Sequence, residues 1–163
     1  MIKKDNPQFP IFIKHKGYFS FSKLMQDIKE WYDDNYYEFH VTKHKHKASE
    51  EEIGCHGERK VTGYIKFKIA IDMRVWEFKE VEVVQDGKTV KKNYGRVALT
   101  VTPGYTLDYE KRFGGSKFLQ ALQDFYHNYI IKRKIEDYWE DEMYMQMGSL
   151  VQVIKTGLEY EAM

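Results

Sequence analysis

The chain has 163 residues, 31% of them charged and 42% hydrophobic, and a net charge of only +1, the composition of one globular domain rather than a disordered or low-complexity segment. No apolar run approaches the ~18 residues of a membrane helix, and the near-zero net charge supplies no global field toward nucleic acid or acidic lipid. A single cysteine excludes an internal disulfide and fits a reducing compartment.

The opening MIKKDNPQFPIFIKHKG starts with two lysines, Lys3 and Lys4, but has neither the apolar stretch nor the small-residue cleavage site of a signal peptide, so a cytoplasmic protein is expected. Residues 9–19 read as a first strand, with Phe9, Ile11 and Ile13 alternating. Ser20 or Ser22 then caps a helix whose apolar residues, Phe21, Leu24, Met25, Ile28, Trp31 and Tyr32, recur at three and four. Residues 36–47 are strand-like, with Tyr37, Phe39 and Val41 on one side.

Residues 58–76 give the clearest strand. Val61, Ile65, Phe67, Ile69, Ile71, Met73 and Val75 are all odd, and the even positions between them are mostly charged. One sheet face is therefore buried and the other wet, which favours antiparallel pairing. Asp86-Gly87 is a hairpin turn that sets Val83 opposite Val90, because both central residues of a type I′ turn need positive φ. Beyond it the apolar parity changes to Val97, Leu99 and Val101, and a bulge near Gly95 or Lys79-Glu80 would account for the change.

Pro103-Gly104 and Gly114-Gly115 bound an irregular loop, and Ser116 caps a long helical tract. Phe118, Leu122, Phe125 and Tyr129 form one stripe, which Met143, Met147, Leu150, Ile154 and Leu158 continue at the same helical angle. Between them Lys132, Arg133, Glu136 and Glu140 occupy the angle that should be apolar. A straight helix of this length would run about 67 Å and overhang a compact domain roughly 40 Å across. The tract must break, with Gly148-Ser149 the expected point, or project and take a partner.

The expected fold is α+β: a single domain over 1–163, with sheet and first helix at 8–102, a loop at 103–115 and a C-terminal helical tract at 116–160. About five strands in β-α-β-β-β-β-α order form a bent antiparallel sheet packed on that tract. This element order resembles the helix-grip, START-like arrangement. Separately, GERKVTGYIKFKIAIDMRVWEFKEVEV and YIIKRKIEDYWEDEMY resemble a family of short, uncharacterised archaeal proteins. Neither resemblance carries a functional residue over.

Chemistry-bearing clusters are few. If the strands flanking ASEEEIG pair around Glu51, His46 faces His56 and His44 faces Glu58, which puts His40, His44, His46 and His56 on one wet face. His44, His46 and His56 are then the candidate metal ligands, against which stand the neighbouring lysines and the lack of a dry surround. Cys55 points inward and away from His56, so no Cys–His dyad forms. Tyr64 with Lys60, Lys66 and Lys68 puts an aromatic among cations on the wet face, a pattern suited to single-stranded RNA. Between Lys43 and Lys68 seven Lys/Arg stand against four Asp/Glu.

The acids of EDYWEDEMY read as a solvated helix face, and RFGGSKF as a capped helix start rather than a phosphate loop. Phe125, Tyr129, Tyr138, Trp139, Met143 and Met147 are the candidate partner- or ligand-binding residues of the terminal tract. The first functional expectation is a non-enzymatic binding protein. It would take an apolar small molecule between sheet and helix, or use the terminal helix for a protein partner or a homodimer. RNA binding and a metal-dependent enzyme at the histidine hairpin are the alternatives. No cofactor and no membrane contact are expected.

Overall fold

The structure is a computed structural model that describes residues 3–159. Met1 and Ile2, at the start of the stretch read for a signal sequence, and Tyr160, the expected end of the terminal tract, lie outside it. The fold is α+β, with one six-stranded antiparallel sheet and a 41-residue C-terminal helix. Strand β6 (Lys88–Leu107) carries both β1 (Asp5–Pro7) and β2 (Ile11–Phe19) along one side. On its other side the order continues through β5 (Ile65–Gln85), β4 (Glu50–Lys60) and β3 (Glu38–Lys47). Helix α1 (Phe21–Asp34) carries the chain from β2 at one edge to β3 at the other.

Ser20 caps α1 by accepting the Lys23 backbone N–H, and Ser116 caps the terminal helix by accepting that of Leu119. Asp86 and Gly87 take φ of 53° and 76°, and Val83 pairs with Val90. The bulge that the parity change requires lies between Trp76 and Lys79, opposite Gly95.

The expected strand at 58–76 divides. Residues 58–60 close β4, and the chain turns at 61–64, where the Thr62 hydroxyl accepts the backbone N–H of Tyr64 (3.1 Å) and of Ile65 (3.0 Å). The loop expected from Pro103 is strand as far as Leu107. The Pro103 carbonyl accepts the Gln8 N–H at 2.8 Å, and a strand residue's N–H and C=O point to the same side. The donor that proline lacks therefore faces the junction of β1 and β2, where the ladder is already broken.

The inner face of β5 is the floor of the core. Ile65, Phe67, Ile69, Ile71, Met73 and Val75 are all buried there. Leu24, Ile28 and Tyr32 of α1 and Met143, Leu150 and Ile154 of the terminal helix cover that floor. The Tyr32 hydroxyl donates to the Ile69 carbonyl at 2.9 Å, and the Trp31 indole to Ser149 Oγ at 3.1 Å, so α1 is tied to both layers.

The terminal helix does not break at Gly148-Ser149. It runs through α2 (Lys117–Tyr126), a π-helical turn (His127–Ile131), α3 (Lys132–Lys134), a second π turn (Ile135–Trp139) and α4 (Glu140–Gly157). Each π turn accommodates one extra residue and so turns the following side chains by about 100° relative to an unbroken α-helix. The two turns fall where the apolar stripe fails. They bring Ile131, Ile135, Met143 and Met147 onto the sheet and leave Phe118, Leu122, Phe125 and Tyr129 on the opposite, solvent side.

Two glycines test this packing with opposite signs. A Cβ on Gly57 would lie 2.3 Å from Tyr32 Cδ1, in the middle of the core. Gly57→Ala should destabilise the fold by about 1–3 kcal/mol. Gly148, inside α4, has nothing within 4 Å of a Cβ, so Gly148→Ala should stabilise it by up to ~1 kcal/mol. Urea unfolding measures both, and shifts of the same sign would contradict this placement of the layers.

Candidate functional site

The histidines do not share a face. The β3–β4 turn is at Ala48 and Ser49, which pairs His46 with Glu51, His44 with Ile53 and His40 with His56. A bulge between Val41 and Lys43 then reverses the parity of β3. His40 and His56 stay on the outer face with ring centroids 5.5 Å apart, whereas His44 and His46 turn to the inner side. There the Glu51 carboxylate, on a residue only 7% exposed, accepts Nε2 of His44 at 3.0 Å and Nδ1 of His46. The expected ligand set of His44, His46 and His56 is therefore divided between the two sides of the sheet. Among the described residues no three His, Cys, Asp or Glu are grouped to hold a metal ion.

The same register places Lys43, Lys45 and Lys47 outside, over Glu52 and Glu50. Lys43 pairs with Glu52, and Lys43 in turn lowers the pKa of that carboxyl through their hydrogen bond. This charge complementarity of KHKHK against EEE was the signal for the register, and it outweighs a turn centred on Glu51. Cys55 is buried as expected, and burial pushes its thiol up to about 12.

The expected RNA-contact set also separates. Tyr64 is buried against Phe113 and Tyr126, and its hydroxyl accepts Nε2 of Gln123 at 3.3 Å. It offers no ring to a base. Lys60 and Lys66 lie 5.8 Å and 5.9 Å from the ring centroid of Tyr109 instead, and Lys66 pairs with Glu58 at 3.1 Å. Lys68 stands exposed beside His56. Sequence reasoning passed over Trp76, an even position at the end of the same alternation. Arg74 and Arg96 lie 5.4 Å and 5.9 Å from its ring centroid on the outer face.

The candidate partner residues of the terminal helix split into two groups. Met143 and Met147 belong to the core, and Trp139 is half-buried against Phe67 at 6.2 Å. Phe125, Tyr129 and Tyr138 face solvent, together with Phe118 and Leu122. Phe118 is 76% exposed, Phe125 55% and Tyr129 79%. The acids at 136–142 also lie along this helix, where Arg133 pairs with Asp137 (3.4 Å) and the Tyr105 hydroxyl donates to Glu140 (3.1 Å). Among the described residues, no helix is long and apolar enough to cross a membrane.

Compared with known protein families and with curated proteins, the chain finds no match. The site must therefore be read from its own geometry. Two surfaces emerge, on opposite sides of the molecule: the apolar solvent face of the terminal helix, and the open outer face of the sheet.

Two titrations follow from this geometry. Burial first, and then the Lys68 charge, hold the His56 pKa below the usual histidine value. A depressed folded pKa means the unfolded chain binds the proton more readily, so this contribution to stability is present at neutral pH and is lost as pH falls through the folded pKa. Replacing Lys68 by Gln should raise the His56 titration midpoint in an NMR titration, and a midpoint that stays put would contradict the assignment. The Cys55 thiol should resist a disulfide reagent at pH 8 in the native protein and react fully in denaturant, whereas fast native reaction would place it at the surface.

Proposed function

We propose that this is a non-enzymatic interaction protein that works as a homodimer through the solvent face of its terminal helix. The observation that carries the reading is the exposed stripe Phe118, Leu122, Phe125 and Tyr129. Its spacing of four, three and four is that of a coiled-coil seam, on a stretch of helix whose other side is already committed to the fold. Leu119, Ala121 and Asn128 flank the seam without charge, so two copies can meet antiparallel without like charges opposing. An isologous pair of this kind satisfies both copies with one surface.

The four side chains present roughly 500 Å² per copy, so a pair removes about 1,000 Å², the lower limit for a specific interface. A dimer in concentration-dependent exchange with monomer is expected. The alternative version of a binding protein, with an apolar ligand between sheet and helices, has less support. Leu24, Ile28, Tyr32, Phe67, Met143 and Leu150 fill that layer and have almost no exposure.

Light scattering on size-separated protein should give twice the 19.6 kDa chain mass at high concentration and approach the chain mass on dilution. Phe125→Glu/Tyr129→Glu should remain folded and monomeric at every concentration. A wild-type monomer at high concentration, or a dimer that survives the double substitution, would contradict the reading.

A further inference from the structure

The outer face of the sheet carries a second surface, independent of the terminal helix. Both α1 and the terminal helix contribute to the core on the inner side, and grooves on the outer side are open. One of these grooves, of about 420 Å³, runs along β2 and β6 to the middle of β5 and is lined by Lys14, Lys16, Trp76, Arg96 and Ala98. Register fixes its plan. Lys16 pairs with Arg96 and Arg96 with Trp76 in one row across three strands, and Lys14, Ala98 and Arg74 make the row beside it. Ala98, the small residue between two long cations, leaves the groove open at its centre.

The chemistry of this groove is specific. Trp76 provides a half-buried indole flanked by two guanidinium groups. Lys14 and Lys16 are exposed, make no ion pair within the described residues, and lie about 7 Å apart as alternate residues of a strand. Phe12, next on the same side of β2, is 71% exposed and faces Thr100. Beyond the groove the face continues with Lys68, exposed and also without an ion pair within the described residues. The net charge of +1 conceals this arrangement, because five carboxylates are concentrated at 136–142 of the terminal helix. At the groove itself Glu50 pairs with Arg74 at 3.7 Å and Glu77 with Arg96 at 3.6 Å, both exposed pairs that a phosphate can displace.

We infer that this face binds single-stranded nucleic acid, with Trp76 and Phe12 as stacking platforms and Lys14, Lys16 and Arg96 as phosphate contacts. Aromatic rings interleaved with cations on an open sheet hold unpaired bases by their π faces and the backbone by charge. Arginine beside the ring adds to the platform, since a guanidinium plane also stacks on a base. A duplex hides its base faces, and a broad sheet does not enter the major groove as a helix or two-stranded ribbon does. Unpaired strands are thus the partner that fits. An anionic membrane would meet the same lysines but has no use for an indole with guanidinium groups beside it.

Fluorescence anisotropy with labelled oligouridylate, oligothymidylate and a duplex of equal length tests the inference. Both single strands should bind at low salt, the duplex clearly less, and the affinity should fall linearly with salt on logarithmic axes. Trp76→Ala should weaken binding about tenfold. Lys14→Glu/Lys16→Glu should weaken it and reduce the salt slope by about 1.4, the value for two single-strand phosphates. Lys132→Glu/Arg133→Glu on the terminal helix should leave binding unchanged, and circular dichroism should show all variants folded. Absence of binding at low salt, binding indifferent to Trp76, or binding to phosphatidylserine vesicles but to neither oligonucleotide would each overturn it. A preference for the ribose over the deoxyribose strand would name RNA as the source, and equal binding would name single strands of either kind.

Discussion

Everything in this molecule depends on one layer of contact, the inner face of β5 against two helices. Six alternate residues from Ile65 to Val75 are buried there. Fully burying one such side chain is worth about 1.5–3 kcal/mol, so the row outweighs any single ion pair at the surface, which contributes about 0–1 kcal/mol. The Tyr32 hydroxyl on the Ile69 carbonyl adds direction to this layer, because a buried phenol left without a partner would cost more than the bond gains. Burial also raises the pKa of that phenol well above the usual tyrosine value, so it is a donor at neutral pH.

The terminal helix is adjusted to that layer rather than the reverse. An uninterrupted α-helix would align Phe125 with Met143 on one side and present either Lys132 and Glu136 or half of the apolar residues to the sheet. The two π turns resolve the conflict by changing the phase between α2 and α4. The consequence is functional: what had read as one stripe becomes two, one inside and one outside. The structural requirement of α4 therefore leaves α2 with an apolar face that has no partner within the described chain.

Much of the fold was legible because it rests on local rules with strong signals. The odd alternation of β5 gave the buried face, Asp86-Gly87 gave the hairpin, and the change of parity around Gly95 gave the bulge. Ser20 or Ser22, of which Ser20 is the cap, and Ser116 marked two helix starts. Other features were not legible, for physical reasons that differ. After Val41, β3 reads TKHKHK, so no apolar residue fixes which way its side chains point, and the bulge that divides the histidines has no signature. The hairpin turn at Ala48 contains no glycine, although Ala48 adopts φ of 44°. The odd parity at Val61 continues across the turn at 61–64 by coincidence of its length, which hid the end of β4. Tyr64 looked like a surface aromatic because its partners, Phe113, Gln123 and Tyr126, come from a part of the chain far away in sequence.

The change of phase in the terminal helix is the central claim, because it assigns Phe125 and Met143 to opposite sides of the same rod. Isotope-edited nuclear Overhauser spectra test it most directly. The account predicts cross-peaks from the Phe67 ring to the Trp139 indole, whose centroids lie 6.2 Å apart, and none from Phe125 or Tyr129 to any sheet residue. Cross-peaks between Phe125 and the methyls of Ile65 or Ile69, with none between Phe67 and Trp139, would contradict it.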